Sequence, residues 1–160
     1  MKTRYRVTVI NQLTTRKVYE PIVRAVREAM HQHDAPESEI VICLANSPLL
    51  LELNQQYRKI DSTTDVLTFP SPENYSSSLG DVIINWDMAD AHARLRGIKP
   101  IEEAAMLAVH GALHLLGFDD HTDEDRSKMI EAMNQAMRAA NLPTDDNWSS
   151  MPHEEPIYHG

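Results

Sequence analysis

Apolar and polar positions change period several times along the 160 residues, and each change marks an element. Arg4–Ile10 alternates, with Tyr5, Val7 and Val9 on one side and Arg4, Arg6 and Thr8 on the other, which predicts a half-buried strand. From Lys17 to Gln32 the period becomes helical, with Ile22, Val23, Val26 and Met30 inward and Pro21 in or near the first turn. Glu39–Leu44 is an apolar, β-branched run and predicts a second strand. Asn46-Ser47-Pro48 opens a second helix, running to about Tyr57 with Leu49, Leu50 and Leu53 inward. A polar loop over 58–65 leads to a short strand, Val66–Phe69, then a flexible polar loop over 70–78 and a fourth strand, Gly80–Asn85. Helices follow over Asp87–Arg96, stopped by Gly97, and from Pro100 onward. Thr122 caps a last helix to about Asn141, with Met129, Ala132, Met133 and Met137 inward. Four short strands interspersed with about five helices, without internal repeats, predict a single α+β domain over residues 1–141. Leu142–Gly160 holds three prolines and four acids and reads as a mobile acidic tail.

One segment departs from the amphipathic rule. From Ala104 to Leu116 no residue is charged. Met106, Val109, Leu113 and Leu116 form one apolar stripe, and Ile101, Ala104, Ala108, Ala112 and Leu115 cover much of the opposite side. A helix apolar nearly all round is a buried one. It is also shorter than the roughly 20 apolar residues that cross a bilayer. Its polar exceptions, His110 and His114, are four apart, so both rings share a face and can converge on one metal ion. Gly111 removes side-chain bulk beside His110. Gly117 predicts a left-handed helix end, and a chain turning there can bring Asp119, Asp120 or His121 back over the histidines. Three protein ligands leave one position open, the pattern of a catalytic zinc.

The net charge of −9 argues against a nucleic-acid partner until its distribution is read. Residues 119–160 carry 10 acids and 3 bases, whereas residues 1–118 carry 14 and 12. The first 27 residues hold seven Lys or Arg (Lys2, Arg4, Arg6, Arg16, Lys17, Arg24, Arg27) against Glu20 alone, a basic face that RNA can meet. The single cysteine, Cys43, cannot form an internal disulfide, and MKTRYRVTVI is no secretory leader; both point to the cytoplasm.

HGALHLLGFDD, His110 to Asp120, closely resembles the H-G-x-L-H-L-x-G-[FY]-D-H signature of the YbeY family, bacterial single-strand-specific metallo-endoribonucleases that act on ribosomal RNA. LNQQYRKIDSTTDVLTFP is similar to the family's L-N-x-x-Y-R-x-x-D-x-x-T-D-V-L-S-F-P block, and LGDVIIN to its L-G-D-I segment, so the resemblance spans roughly residues 50–130. It implies a small mixed sheet with a zinc-hydrolase-like metal helix packed against it. It also implies one zinc ion on His110, His114 and a third ligand. The family usually has histidine three residues after the glycine; here that position is Asp120, with His121 one further on as the alternative. Arg58 matches the family's catalytic arginine, with His114 beside it in the catalytic set. The implied partners are single-stranded RNA, ribosomal RNA and small-subunit ribosomal proteins, in rRNA maturation and ribosome quality control, with neither DNA nor a membrane.

The residues support phosphate chemistry on their own terms. Arg58 heads the polar loop, and a guanidinium grips phosphate with two parallel hydrogen bonds; an ion pair with Asp61 or Asp65 is its structural alternative. The HExxH proteases carry a glutamate base directly after the first histidine, where this chain has Gly111. Glu103 shares the histidine face but lies about 10 Å earlier along the helix axis. Thr64, Asp65 and Asp81 read as scaffold able to hold Arg58 or a metal histidine. His31 and His33 read as surface residues, and His153 and His159 as part of the tail. Two other functions fit less of the pattern: a zinc hydrolase of amide bonds, and a non-hydrolytic ribosome assembly factor with a structural metal.

Overall fold

The computed structural model describes residues 4–72 and 77–149. The middle of the polar loop expected over 70–78 and the chain from residue 150 lie outside the described residues. The element order is β1 (Tyr5–Asn11), α1 (Glu20–Gln32), β2 (Ser38–Ala45), α2 (Ser47–Arg58), β3 (Val66–Pro70), β4 (Ser78–Asn85), α3 (Trp86–Arg96), α4 (Pro100–Leu115) and α5 (Asp123–Ala139). The four strands form one mixed sheet in the order β1-β2-β4-β3, with β1, β2 and β4 parallel and β3 antiparallel at the edge. The α+β architecture and the helix and strand numbers are those expected.

Strand alternation sorts the sheet into two unequal faces. Val7, Ile40, Ile42, Leu44, Val66, Val82 and Ile84 point into the main core, shared with α1, α4 and α5. Cys43, Ala45 and Leu67 point the other way, where Leu50 of α2 covers them. Proline opens α1, α2 and α4 in the first turn, where its missing N–H is not needed. The inward residues of α1 and the methionine stripe of α5 are buried as expected.

Helix α4 runs through the middle, packed on α1, α3 and α5 and across β3 and β4. Every residue from Glu103 to Leu113 is buried. Gly111 is where α4 meets the sheet. A Cβ there would stand 2.6 Å from Val82 Cγ1 and 3.1 Å from Thr68 Cγ2. The glycine therefore lets helix and sheet approach, and does not clear space on the histidine side as its neighbour in sequence suggested. Gly111→Ala is expected to lose about 1–3 kcal/mol, the cost of overpacking a closed core. A chemical-denaturation curve checks this; unchanged stability would mean the interface has slack.

Residues 142–149 do not behave as a tail. Leu142 and Trp148 are buried, and the chain stays against the domain at least to Trp148. The apolar area of two such side chains outweighs the polar composition around them.

Candidate metal centre

The end of α4 builds the centre. Leu116 caps the helix and Gly117 follows at φ 103°, a backbone conformation that side chains strongly disfavour. The Phe118 amide reaches Leu113 O at 3.0 Å and the Gly117 amide reaches His114 O at 3.0 Å, the paired bonds of a Schellman end. This reversal brings the Phe118 carbonyl to 3.1 Å from His114 Nδ1. A carbonyl only accepts, so Nδ1 carries the proton and Nε2 is left with its lone pair for a ligand.

That lone pair has company. His110 Nε2 lies 3.1 Å from His114 Nε2, and Asp120 Oδ2 lies 3.9 Å from each. His110, His114 and Asp120 are the one metal-type group of donors among the described residues, all within 4.8 Å of one another. Donors about 2.0–2.2 Å from a shared tetrahedral zinc stand about 3.3 Å apart, so the triangle suits such an ion with small adjustments. The donor chemistry fits as well: two imidazoles and a carboxylate, with side chains 6, 7 and 10% exposed. Arg126 of α5 donates to the Asp120 carbonyl at 3.1 Å and helps hold the returning loop.

Of the two candidates for third ligand, Asp120 joins the histidines. His121 is exposed and outside the group, and its amide bonds Asp119 Oδ1 at 3.3 Å. That amide holds the Asp119 carboxyl below its ordinary range. Asp120→Ala is expected to weaken zinc binding roughly 100-fold or more, at or beyond the upper end for residues behind the ligands. His121→Ala should change it little, and Asp120→His should keep the metal. Chelator competition measures all three, and a loss in His121→Ala alone would transfer the role.

The other candidate residues lie elsewhere. Glu103 is wholly buried, but its carboxylate is gripped by Arg96 Nη1, 2.7 Å from both oxygens, and by the Trp148 indole at 2.9 Å. It is an internal anchor. Arg58 ends α2 and is not a member of the three-donor group. It is half-buried, and burial lowers its pKa from the ordinary arginine value. Asp61, offered as its ion-pair partner, instead accepts from Gln55 at 2.5 Å. Thr64 and Asp65 are buried in the loop after Arg58. That loop is tied down by Asn85, whose side chain donates to the Thr64 carbonyl and whose amide donates to that of Asp65. Asp81 is exposed beside Val41, on the sheet face opposite α4, so it cannot steady the histidines. Partial desolvation by its neighbours and the charge of Glu39 raise its pKa there.

Two of the N-terminal bases are also committed. Arg24 donates to the Ala140 carbonyl at 3.0 Å and Arg27 to that of Tyr5 at 3.1 Å, so the basic face is smaller than the composition suggests. His33 is half-buried with its ring edge-on to Phe118 at 4.9 Å, not a surface residue; His31 is exposed. His153 and His159 lie outside the described residues.

Together, fold and site define a class: an α+β domain with a His-His-Asp donor set presented by its central helix and the turn that ends it. The family model for Endoribonuclease YbeY matches residues 3–141. Similar proteins carrying that name include one from Acholeplasma laidlawii, 33% identical over 117 residues, covering 73% of this chain and 85% of the relative. Another, from Helicobacter pylori, is 36% identical over 109 residues, covering 68% and 75%. The solution structure of TM1509 from Thermotoga maritima superposes with a TM-score of 0.61 over 84% of this chain and 88% of the other, at 24% identity, which supports the fold. The chain belongs to the YbeY endoribonuclease family.

Proposed function

We propose that this chain is a zinc-dependent endoribonuclease that cleaves single-stranded RNA and serves rRNA maturation and ribosome quality control in the cytoplasm. Ribosomal RNA and proteins of the small subunit are its proposed partners. The observation that carries the reading is the convergence of His110 Nε2, His114 Nε2 and Asp120 Oδ2 within 4.8 Å, in a chain of this family. Bound zinc lowers the pKa of its coordinated water to about 7 and acts as a Lewis acid toward anionic oxygen.

The protein's own groups do the rest. His114 is held in its tautomer by the Phe118 carbonyl, so it presents a lone pair without rearrangement. Arg58 is assigned the scissile phosphate: its planar fork matches two phosphate oxygens, and it stays charged at neutral pH even when partly buried. Gly111 weighs against amide hydrolysis. The glutamate base of HExxH enzymes would occupy this position, and here it would be driven into Val82. No helix among the described residues is long and apolar enough to cross a membrane, which is compatible with the cytoplasmic assignment.

The test is a substrate comparison. Pure protein is incubated with single-stranded RNA, duplex RNA and casein, each with and without chelator. Cleavage of single-stranded RNA alone, abolished by chelator and restored by zinc, is the expected result. Casein cleavage would favour an amide hydrolase, and chelator-insensitive RNA binding without cleavage would favour an assembly factor.

A further inference from the structure

The chain past residue 141 lies beyond the family match, yet it returns across α4 to the metal centre. Trp148 is 3% exposed. Its indole N–H donates to Glu103, which Arg96 grips through both oxygens; Arg96 Nε in turn lies 3.4 Å from Asp145 on the same returning segment. Arg96 also stands over the Trp148 ring, 5.7 Å from its centroid. Asn134 of α5 accepts from the Asp145 amide and donates to the Asp146 carboxylate, fastening the segment a second time. The indole so fixed lies 5.1 Å from the His110 ring, inclined by 50°. His114 lies 4.6 Å from the same ring.

We infer that residues 142–148 form a strap and that Trp148 is a positioning residue for the metal centre, holding the His110 ring so that Nε2 faces His114 and Asp120. The inference rests on the proposal that these three donors take a metal ion. A histidine ring on a helix turns over a broad range about its second torsion, and a large ring packed against it narrows that range. A buried carboxylate without partners is strongly disfavoured, so the bonds of Glu103 to Arg96 and Trp148 anchor the strap firmly. Ordering the ring before the ion arrives removes a cost that binding would otherwise carry.

Cobalt titration of the full chain tests this, following the visible ligand-field band, with thermal unfolding of the metal-free proteins alongside. Trp148→Ala is expected to weaken cobalt binding about 10- to 100-fold, the range for groups that support metal ligands, and to shift the band. Trp148→Phe should keep most of the affinity, because a ring still lies against His110. Leu50→Ala, buried on the sheet face opposite α4, should lower thermal stability and leave affinity unchanged. Cobalt binding by Trp148→Ala at wild-type strength with an unshifted band overturns the strap, as does an equal loss in Leu50→Ala. If the wild type takes up no cobalt, the metal reading itself fails and the strap with it. Should Trp148→Ala not fold, Trp86→Phe leaves Trp148 as the one indole of the two in the chain. Its emission should then be quenched as cobalt binds, and full brightness at saturation would overturn the inference.

Discussion

His114→Ala is expected to lower zinc affinity at least about 100-fold and to take RNA cleavage to background, with His110→Ala doing the same. The expectation exceeds what loss of a supporting group produces, because a donor atom is removed outright. His114 contributes twice: its Nε2 stands 3.1 Å from His110 Nε2, and its Nδ1 bonds the Phe118 carbonyl that shapes the helix end. The alanine variant should therefore also loosen the turn that returns Asp120. Metal analysis of the purified variants, with chelator competition for those that retain zinc, gives the answer. Full zinc occupancy in either variant would rule out that histidine as a donor and leave the three-donor centre without support.

Arg58→Ala separates binding of the metal from handling of the phosphate. Its zinc content and melting temperature should match wild type, since Arg58 is outside the donor group and only half-buried. The rate on single-stranded RNA should fall roughly 10²–10³-fold, the scale for losing one group that stabilises developing negative charge. Arg58→Lys should recover only part of it, because a point charge does not reproduce the planar fork. Wild-type cleavage by Arg58→Ala would end the phosphate-clamp assignment.

Much of this architecture was legible because α4 is unusual. A segment apolar on all sides must be buried, so the two histidines on it had to be either satisfied core residues or a site. Gly117 then told where the chain turns, while the choice of Asp120 among Asp119, Asp120 and His121 came from the family resemblance. The misses share a physical cause: each depends on a partner that sequence periodicity does not name. Gly111 was read against its neighbour His110, whereas the surface that demands it is Val82 and Thr68 on the sheet. Arg24 and Arg27 counted as free charge, but they spend their donors on backbone carbonyls of Ala140 and Tyr5. Trp148 stands among polar residues, with no repeating apolar neighbour to mark it as buried. The Phe118 carbonyl that sets the His114 tautomer has no side-chain signature at all. Asp81 lies in a strand with apolar residues on both faces, so alternation alone did not show that it turns away from α4.

An anomalous-scattering map collected across the zinc edge, on crystals of the protein purified without chelator, shows whether His110, His114 and Asp120 hold a metal ion together. One zinc peak per chain is expected, about 2.0–2.2 Å from His110 Nε2, His114 Nε2 and Asp120 Oδ2. A peak bound through His121 in place of Asp120, or zinc-loaded crystals with no peak at the end of α4, would contradict it.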